Sequence, residues 1–433
     1  MRGQAGWALD SGRWTKTASV VAVAALLVAA CSGGSSSSST QGVTATSIKL
    51  GSHQPLTGPA APGYSEIAPA AKALFEYVNS RGGVEGRKID FTYDDDGYSP
   101  QTTASVVRKL VLQDKVFAIL NGLGTPTHQQ VLGFLNTEKV PDLFVASGCT
   151  CWNQPKKYPY TTGYQPNYEI EGRILGKYVN DNLAGQKVGY LLQNDDFGQA
   201  GSTGLSKQIP AADVAAKQNY DVSTLTSGLG TQLSALQGAG AKVVAVFAIP
   251  AAFSLALLAA AQIGYHPTWV VSSIDADVTT LAGLLQSFSK GKAGAGLLEG
   301  IVTAGYLPTV SDQGNPWIQS FKRIHDKYDA ANPFDSNTVY GMAVAYNTVQ
   351  LLQKAGKKLT RKTLLDALNS ANLAGPGLLP LTFSASDHRG YEGERMAKFQ
   401  TGSITAFGPV FKATEDGPIT TSDQPQPAPP TGF

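Results

Sequence analysis

The chain has 433 residues, 42% of them hydrophobic and 15% charged, with 34 Lys and Arg against 32 Asp and Glu. That length suits about two domains of ordinary size, and near-balanced charge without a basic stripe excludes a nucleic-acid partner. Three cysteines and five scattered histidines show no metal-ligand spacing, so neither metal nor cofactor is expected.

In chain order an export signal comes first. Arg2, Arg13 and Lys16 flank an apolar run from Ala18 to Ala30. The run is too short for a bilayer, which needs ~20 residues, but suits a signal h-region. Val28-Ala29-Ala30-Cys31 reads as a lipobox. Residues 1–30 are therefore expected to be removed and Cys31 lipidated, anchoring the protein to the outer face of a bacterial cell membrane. Without residues 1–30, which hold those three cations and Asp10, the net charge is zero. Residues 31–45 read as a flexible Ser/Gly-rich tether. Of the later stretches, Ala251–Ala261 comes closest to a membrane span, and it has the length of a buried helix.

From residue 46 onward short apolar or β-branched runs alternate with helical patterns. Strands are expected at Ser47–Ser52, Arg87–Asp94, Val116–Asn121, Asp142–Ala146, Lys187–Gln193, Asp213–Asn219, Val243–Ala248, Thr268–Ser272 and Glu299–Ala304. Helices are expected at Ile67–Arg81, Pro100–Gln113, Pro126–Glu138, Pro166–Asn182, Gly198–Gln208, Thr231–Gly238, Pro250–Ile263 and Asp277–Ser289. Three more follow at Pro316–Ala330, Asn337–Ala355 and Arg361–Asn369. Ser99, Thr125 and Asn315, each before a proline, suit helix N-caps. The pattern predicts an α/β protein of doubly wound, Rossmann-like parallel sheets. Leu378–Phe383, Arg395–Thr401 and Thr405–Phe411 read as strands without intervening helices, a segment returning to an earlier domain. Residues 416–433 are Pro-rich and expected to be disordered.

No phosphate loop, G-x-S-x-G elbow or H-E-x-x-H is present, and Gly122-Leu123-Gly124 lacks the third glycine of a dinucleotide fingerprint. A binder is expected rather than an enzyme. Asp94-Asp95-Asp96 reads as a solvated turn. Cys149-Thr150-Cys151 leaves two readings open, a local disulfide or a pair of reduced thiols.

Ligands in open parallel sheets sit beyond the carboxyl ends of the strands. Those ends carry Pro55–Pro59 with Tyr64 just beyond, Asn121–Pro126 and Ala146–Trp152. Hydroxyls of Thr125 and Ser147 beside a helix start suit a carboxylate. In the second half, Asp275 suits either an ammonium or a helix cap, and Phe197, with Tyr64 and Trp152, suits an apolar lining.

Together Ile48-Lys49-Leu50-Gly51, Thr57-Gly58-Pro59, Val78–Val84 with Gly86-Arg87-Lys88, Tyr93-Asp94-Asp95 and Asp196-Phe197-Gly198 resemble type I solute-binding proteins of the branched-chain amino-acid class. The resemblance runs from about residue 46 to residue 411. It implies two lobes joined by a three-crossover hinge, with 46–162 and 307–378 in lobe 1 and 163–306 and 379–415 in lobe 2. It places Thr125 on the ligand carboxylate, with Ser147 to Cys149 assisting. Phe197 and Phe247 stand where the family has tyrosines, and its ammonium-binding glutamate falls near Ser273 to Asp275. The implied function is a monomeric solute-binding lipoprotein of an ABC importer. It would clamp a small hydrophobic amino acid or related carboxylate and deliver it to a permease and ATPase complex. A ligand-sensing receptor of the same fold is the alternative, and an extracellular amidase or hydrolase a further one.

Overall fold

The computed structural model describes residues 40–400, 402–431 and 433. The signal, Cys31 and most of the tether lie outside the described residues. The tether's last residues are pinned: Gln41 Nε2 donates to the carbonyls of Val111 and Val116.

The first lobe follows the expected alternation. Its elements are β1 (Ser47–Gln54), the single turn α1 (Ala61–Tyr64), α2 (Ile67–Ser80), β2 (Lys88–Asp95), α3 (Pro100–Leu112), β3 (Ala118–Leu120), α4 (Thr125–Thr137), β4 (Asp142–Val145) and β5 (Thr161–Gly163). The five strands form one parallel sheet in the order β2-β1-β3-β4-β5. Central strands β3 and β4 are wholly buried, as parallel strands covered on both faces must be.

The chain then crosses to a second sheet. Its elements are α5 (Tyr168–Asn182), β6 (Val188–Gln193), α6 (Asp196–Ser206), β7 (Val214–Tyr220), α7 (Gly230–Gly238), β8 (Val243–Phe247), α8 (Pro250–Gln262), β9 (Thr268–Val271), α9 (Val278–Phe288) and β10 (Val302–Gly305). Next α10 (Pro316–Tyr328), α11 (Ser336–Ala355) and α12 (Arg361–Leu368), with a small ladder of β11 (Asn372–Leu373) and β12 (Leu381–Thr382), pack into the core of the first lobe. A third crossing brings β13 (Gly393–Gln400), β14 (Ser403–Lys412) and β15 (Thr420–Ser422) antiparallel onto β10. The second sheet therefore runs β15-β14-β13-β10-β9-β8-β6-β7. α8, spanning the most apolar stretch, is a buried layer helix, and no helix among the described residues is long and apolar enough to cross a membrane.

Three local expectations are corrected. The Pro-rich stretch is ordered by contacts with the first lobe rather than by a core of its own. Trp317 Nε1 donates to the Pro427 carbonyl at 2.6 Å, Asn315 to Gln426 at 2.8 Å, and the Phe433 ring packs on Trp317, Tyr346 and Tyr77. An extended proline chain has little conformational freedom to lose on such a surface. Asp96 is no solvated turn residue but fully buried, because His53 and Thr103 supply its partners. Thr125 is not an N-cap. Gly124 holds that place at φ +103° with no capping side chain, and Thr125 is the first helical residue, whereas Ser99 and Asn315 do cap.

Candidate functional site

Between the lobes lies a cleft of about 380 Å³. Strand ends of both sheets open into it, where the sheet order reverses in a doubly wound fold. Tyr64, Tyr98, Thr125 and Tyr340 line it from the first lobe, and Phe197, Ile249, Ser273 and Ile274 from the second.

One end is built around α4. Its cap is a glycine, so the first turn's amides have no side-chain acceptor, a ready anion site. A Cβ on Gly124 would come within 2.4 Å of Thr127 Oγ1 and 2.6 Å of the Tyr98 ring. Thr125 Oγ1 lies 2.7 Å from Ser147 Oγ, and Ser147 Oγ also accepts the Cys149 amide at 3.2 Å.

Beneath this end a buried chain of four side chains fixes the helix. Asp96 Oδ2 meets His53 Nδ1 at 2.7 Å, His53 Nε2 meets His128 Nδ1 at 2.9 Å, and His128 Nε2 meets Asp142 Oδ2 at 2.8 Å. All four residues are fully buried. Three hydrogen bonds in series need three protons, one per bond, so two imidazoles between two carboxylates carry a net charge of minus one. Thr103 and Thr161 donate to the two carboxylates. His128 sits in the first turn of α4, one turn after Thr125, so the chain ties α4 to β1 and β4. Burial holds the His53 pKa below its ordinary value, opposed by the Asp96 hydrogen bond.

The expected site residues divide. Tyr64, Thr125 and Phe197 line the cleft, and Ser147 stands one hydrogen bond behind Thr125. Phe247 is fully buried behind Phe197 and Tyr168, ring centroids 5.9 and 6.3 Å away, so it supports the wall rather than forming it. Trp152 is likewise in the core, its Nε1 donating to the Ser147 carbonyl. Cys149 is disulfide-linked to Cys151 and off the lining. Gln129, beside both sulfurs, donates to Asp196 Oδ2 across the cleft at 2.6 Å.

Asp275 is also off the lining. It is fully buried, and neither carboxylate oxygen has a partner among the described residues. Burial, then the nearby Glu171 charge, pushes its pKa far above the carboxylate range. Glu171 accepts the Ser272 hydroxyl at 2.9 Å and the Ser273 amide. Burial raises its pKa to about 7 against those bonds. Glu394 on β13 is the third buried acid of this group.

The acids that do line the cleft, Asp277 and Asp335, were not predicted. Each caps a helix: Asp277 accepts the Thr280 amide and Asp335 the Thr338 amide. The D-x-x-T spacing of a capping residue marks both in the sequence, but nothing local says that two helix starts from different lobes face one cleft. The lobes touch there, as the Ser336 amide donates to Asp277 Oδ2 at 2.9 Å and Asn337 Nδ2 to Thr280 Oγ1 at 3.3 Å.

The profile of a family described as periplasmic binding protein matches residues 47–403. A Leu/Ile/Val-binding protein homolog of Brucella abortus is 25% identical over 207 residues, 47% of this chain and 54% of that protein; the chain thus spans about half the length of the curated relatives it matches. Among solved structures, a fatty acid ABC transporter substrate-binding protein from Thermomonospora curvata superposes with a TM-score of 0.76 at 23% identity, covering 90% of this chain and 97% of that one. A branched-chain amino acid ABC transporter protein from Thermus thermophilus with bound valine gives 0.72 at 18% identity, covering 86% and 97%. Likeness at these identities establishes a shared fold.

Proposed function

We propose that this chain, which belongs to the periplasmic binding protein family, captures a small amphipathic carboxylate, foremost an apolar amino acid, by closing its two lobes around it. The single observation that carries this reading is the Thr125 hydroxyl, backed by that of Ser147, at the glycine-capped start of α4 in an apolar interlobe cleft. The carboxylate would lie against the Thr125 hydroxyl and the first-turn amides, and the aromatic walls would take the side chain. Closure would carry the signal to a permease and ATPase complex, with the protein held at the outer face of the cell membrane by a lipid on Cys31. A binder, not an enzyme, fits a cleft whose polar groups serve as caps and hydrogen-bond partners.

A second reading, an acid without an amine, is favoured by Phe197, which offers no hydroxyl, and by the fold shared with a protein named for fatty acids.

A thermal-shift screen of the domain from residue 40 onward tests both, with leucine, isoleucine and valine set against their deaminated acids and short fatty acids. Ligand at 100 times Kd adds ~2.7 kcal/mol, which raises Tm by several degrees. Thr125→Val should then weaken the best carboxylate by about 1–3 kcal/mol in calorimetry, since a charged acceptor loses its donor. Unchanged affinity in the folded variant removes Thr125 from the site.

A further inference from the structure

Among the described residues the cleft lining holds two aspartates, Asp277 and Asp335, and no lysine, arginine or histidine. Away from the α4 amides, such a lining offers an anion no charged partner and suits a cation. Asp277 is fully engaged, one oxygen with the Thr280 amide and the other with the Ser336 amide. Asp335 is not. Its Oδ1 accepts the Thr338 amide at 2.9 Å. Its Oδ2 has no donor among the described residues, although Asp335 is only 2% exposed.

A second acid makes the deficit worse. Glu66, at the start of α2, lies within hydrogen-bonding reach of Asp335, and its own Oε2 also has no donor among the described residues. The Asp277 and Asp329 carboxyls add their fields to the pair. Carboxylates have acceptors only. Two facing acceptors out of water are stable only with a proton or a cation between them. Among the described residues no group of three or more His, Cys, Asp or Glu is arranged to hold a metal. In the empty cleft a proton held by the pair fills the gap, and an organic ammonium entering from the cleft can take its place.

We propose that Asp335, with Glu66 behind it, forms an ammonium subsite of the cleft, so that the bound solute carries a primary amine and is held at both charged ends by the first lobe. This rests on the carboxylate end at Thr125. It moves amine recognition away from Asp275, which is sealed in the second lobe. It also gives closure a cause. Asp277 of the second lobe docks on the Ser336 amide, next to Asp335 in the chain, and a bound ammonium relieves the repulsion between the acids brought together there.

The test uses four probes in calorimetry: leucine, 6-aminohexanoate, 3-methylbutylamine and hexanoate. At least one of the two amino acids should bind tenfold or more tighter than hexanoate. Leucine as the winner places the amine on the α carbon, and 6-aminohexanoate places it at the far end. Asp335→Asn keeps the helix cap and should reduce that preference to less than threefold, along with 3-methylbutylamine binding, while hexanoate affinity changes less than threefold. Glu66→Gln should do the same and should raise the ligand-free Tm at pH 8 by a few degrees, because two facing acids become one. A preference that survives both variants, or one lost instead in Asp275→Asn, overturns the subsite and leaves the carboxylate reading standing. A Glu66→Gln protein that melts lower and keeps its preference also overturns it. Hexanoate binding tightest overturns the amine but not the clamp, and no binding by any probe overturns both.

Discussion

Glu66 shows how a single side chain can be poised by its surroundings. Burial pushes its pKa to about 9, with Asp335, Asp277 and Asp329 adding to the shift; Asp335 itself is raised to about 6, chiefly by burial and then by Asp277. The unfolded chain would ionise Glu66 near pH 4.3. Between that value and about 9 the folded state binds more protons than the unfolded one, so stability falls as pH rises. Glu171, Asp275 and Glu394, all raised by burial, act with the same sign. Urea midpoints of the ligand-free protein should therefore fall steadily from pH 5 to pH 9, and Glu66→Gln should flatten the slope without abolishing it. An unchanged slope would mean that Glu66 is ionised in the folded protein. The same proton balance makes amine binding release protons near pH 7, which calorimetry in buffers of different ionisation enthalpy reads directly.

At the scale of elements, α4 shows which features of the site were legible in the sequence. Its place after β3, and the value of Thr125 beside a helix start, follow from the alternation of strands and helices. The residues that orient it do not. His53 and His128 are 75 positions apart and look isolated, and Asp96 reads as one of three turn acids. They meet because β1 and β3 are neighbours in the sheet, a fact of topology rather than of local pattern. The same limit explains Phe247 and Asp275. Both lie near strand ends of the second lobe, as expected, but the turn after each strand decides which side chain enters the cleft, and there it presents Ser273 and Asp277 instead. Gly122 is the point where the buried chain can be tested. A Cβ there would lie 2.4 Å from His53 Nε2 and 2.5 Å from His128 Nδ1, so Gly122→Ala must break the bond between the rings. It should cost about 1–3 kcal/mol in urea unfolding, the usual range for overpacking. Gly133→Ala, exposed on the same helix with nothing within 4 Å of its added methyl, should instead stabilise by about 0.5–1 kcal/mol through helix propensity. Equal effects from both would mean that the chain of four does not hold α4.

At the scale of the whole molecule, hydrogen bonds cross the cleft between the lobes, among them Asp277 with Ser336, Thr280 with Asn337, Gln129 with Asp196, Gln193 with Tyr98 and Ser311 with Ile404, beside an apolar cluster that Tyr64 and Ile67 share with Ile249 and Phe253. Each hydrogen bond is a modest net contribution of about 0.5–1.5 kcal/mol, somewhat more where a carboxylate accepts. A ligand that touches both lobes can therefore decide between open and closed states, since it shifts the balance by its differential affinity for the two. Gly63 sits in this seam. At φ +80°, a Cβ on it would lie 2.6 Å from Thr280 Oγ1 of the second lobe and 2.7 Å from Asn337 Nδ2 of the first. Gly63→Ala should act as a wedge. Saturating ligand should shrink the radius of gyration of the native protein but not of this variant, and the loss of affinity should appear mainly as faster dissociation. Backbone strain alone is controlled by Gly97→Ala, also at positive φ (+58°) but with only Thr57 Oγ1, 3.8 Å away, near its added methyl. A variant that closes normally while Gly97→Ala shows the same loss of stability would place the effect of Gly63 in its turn and not in the seam.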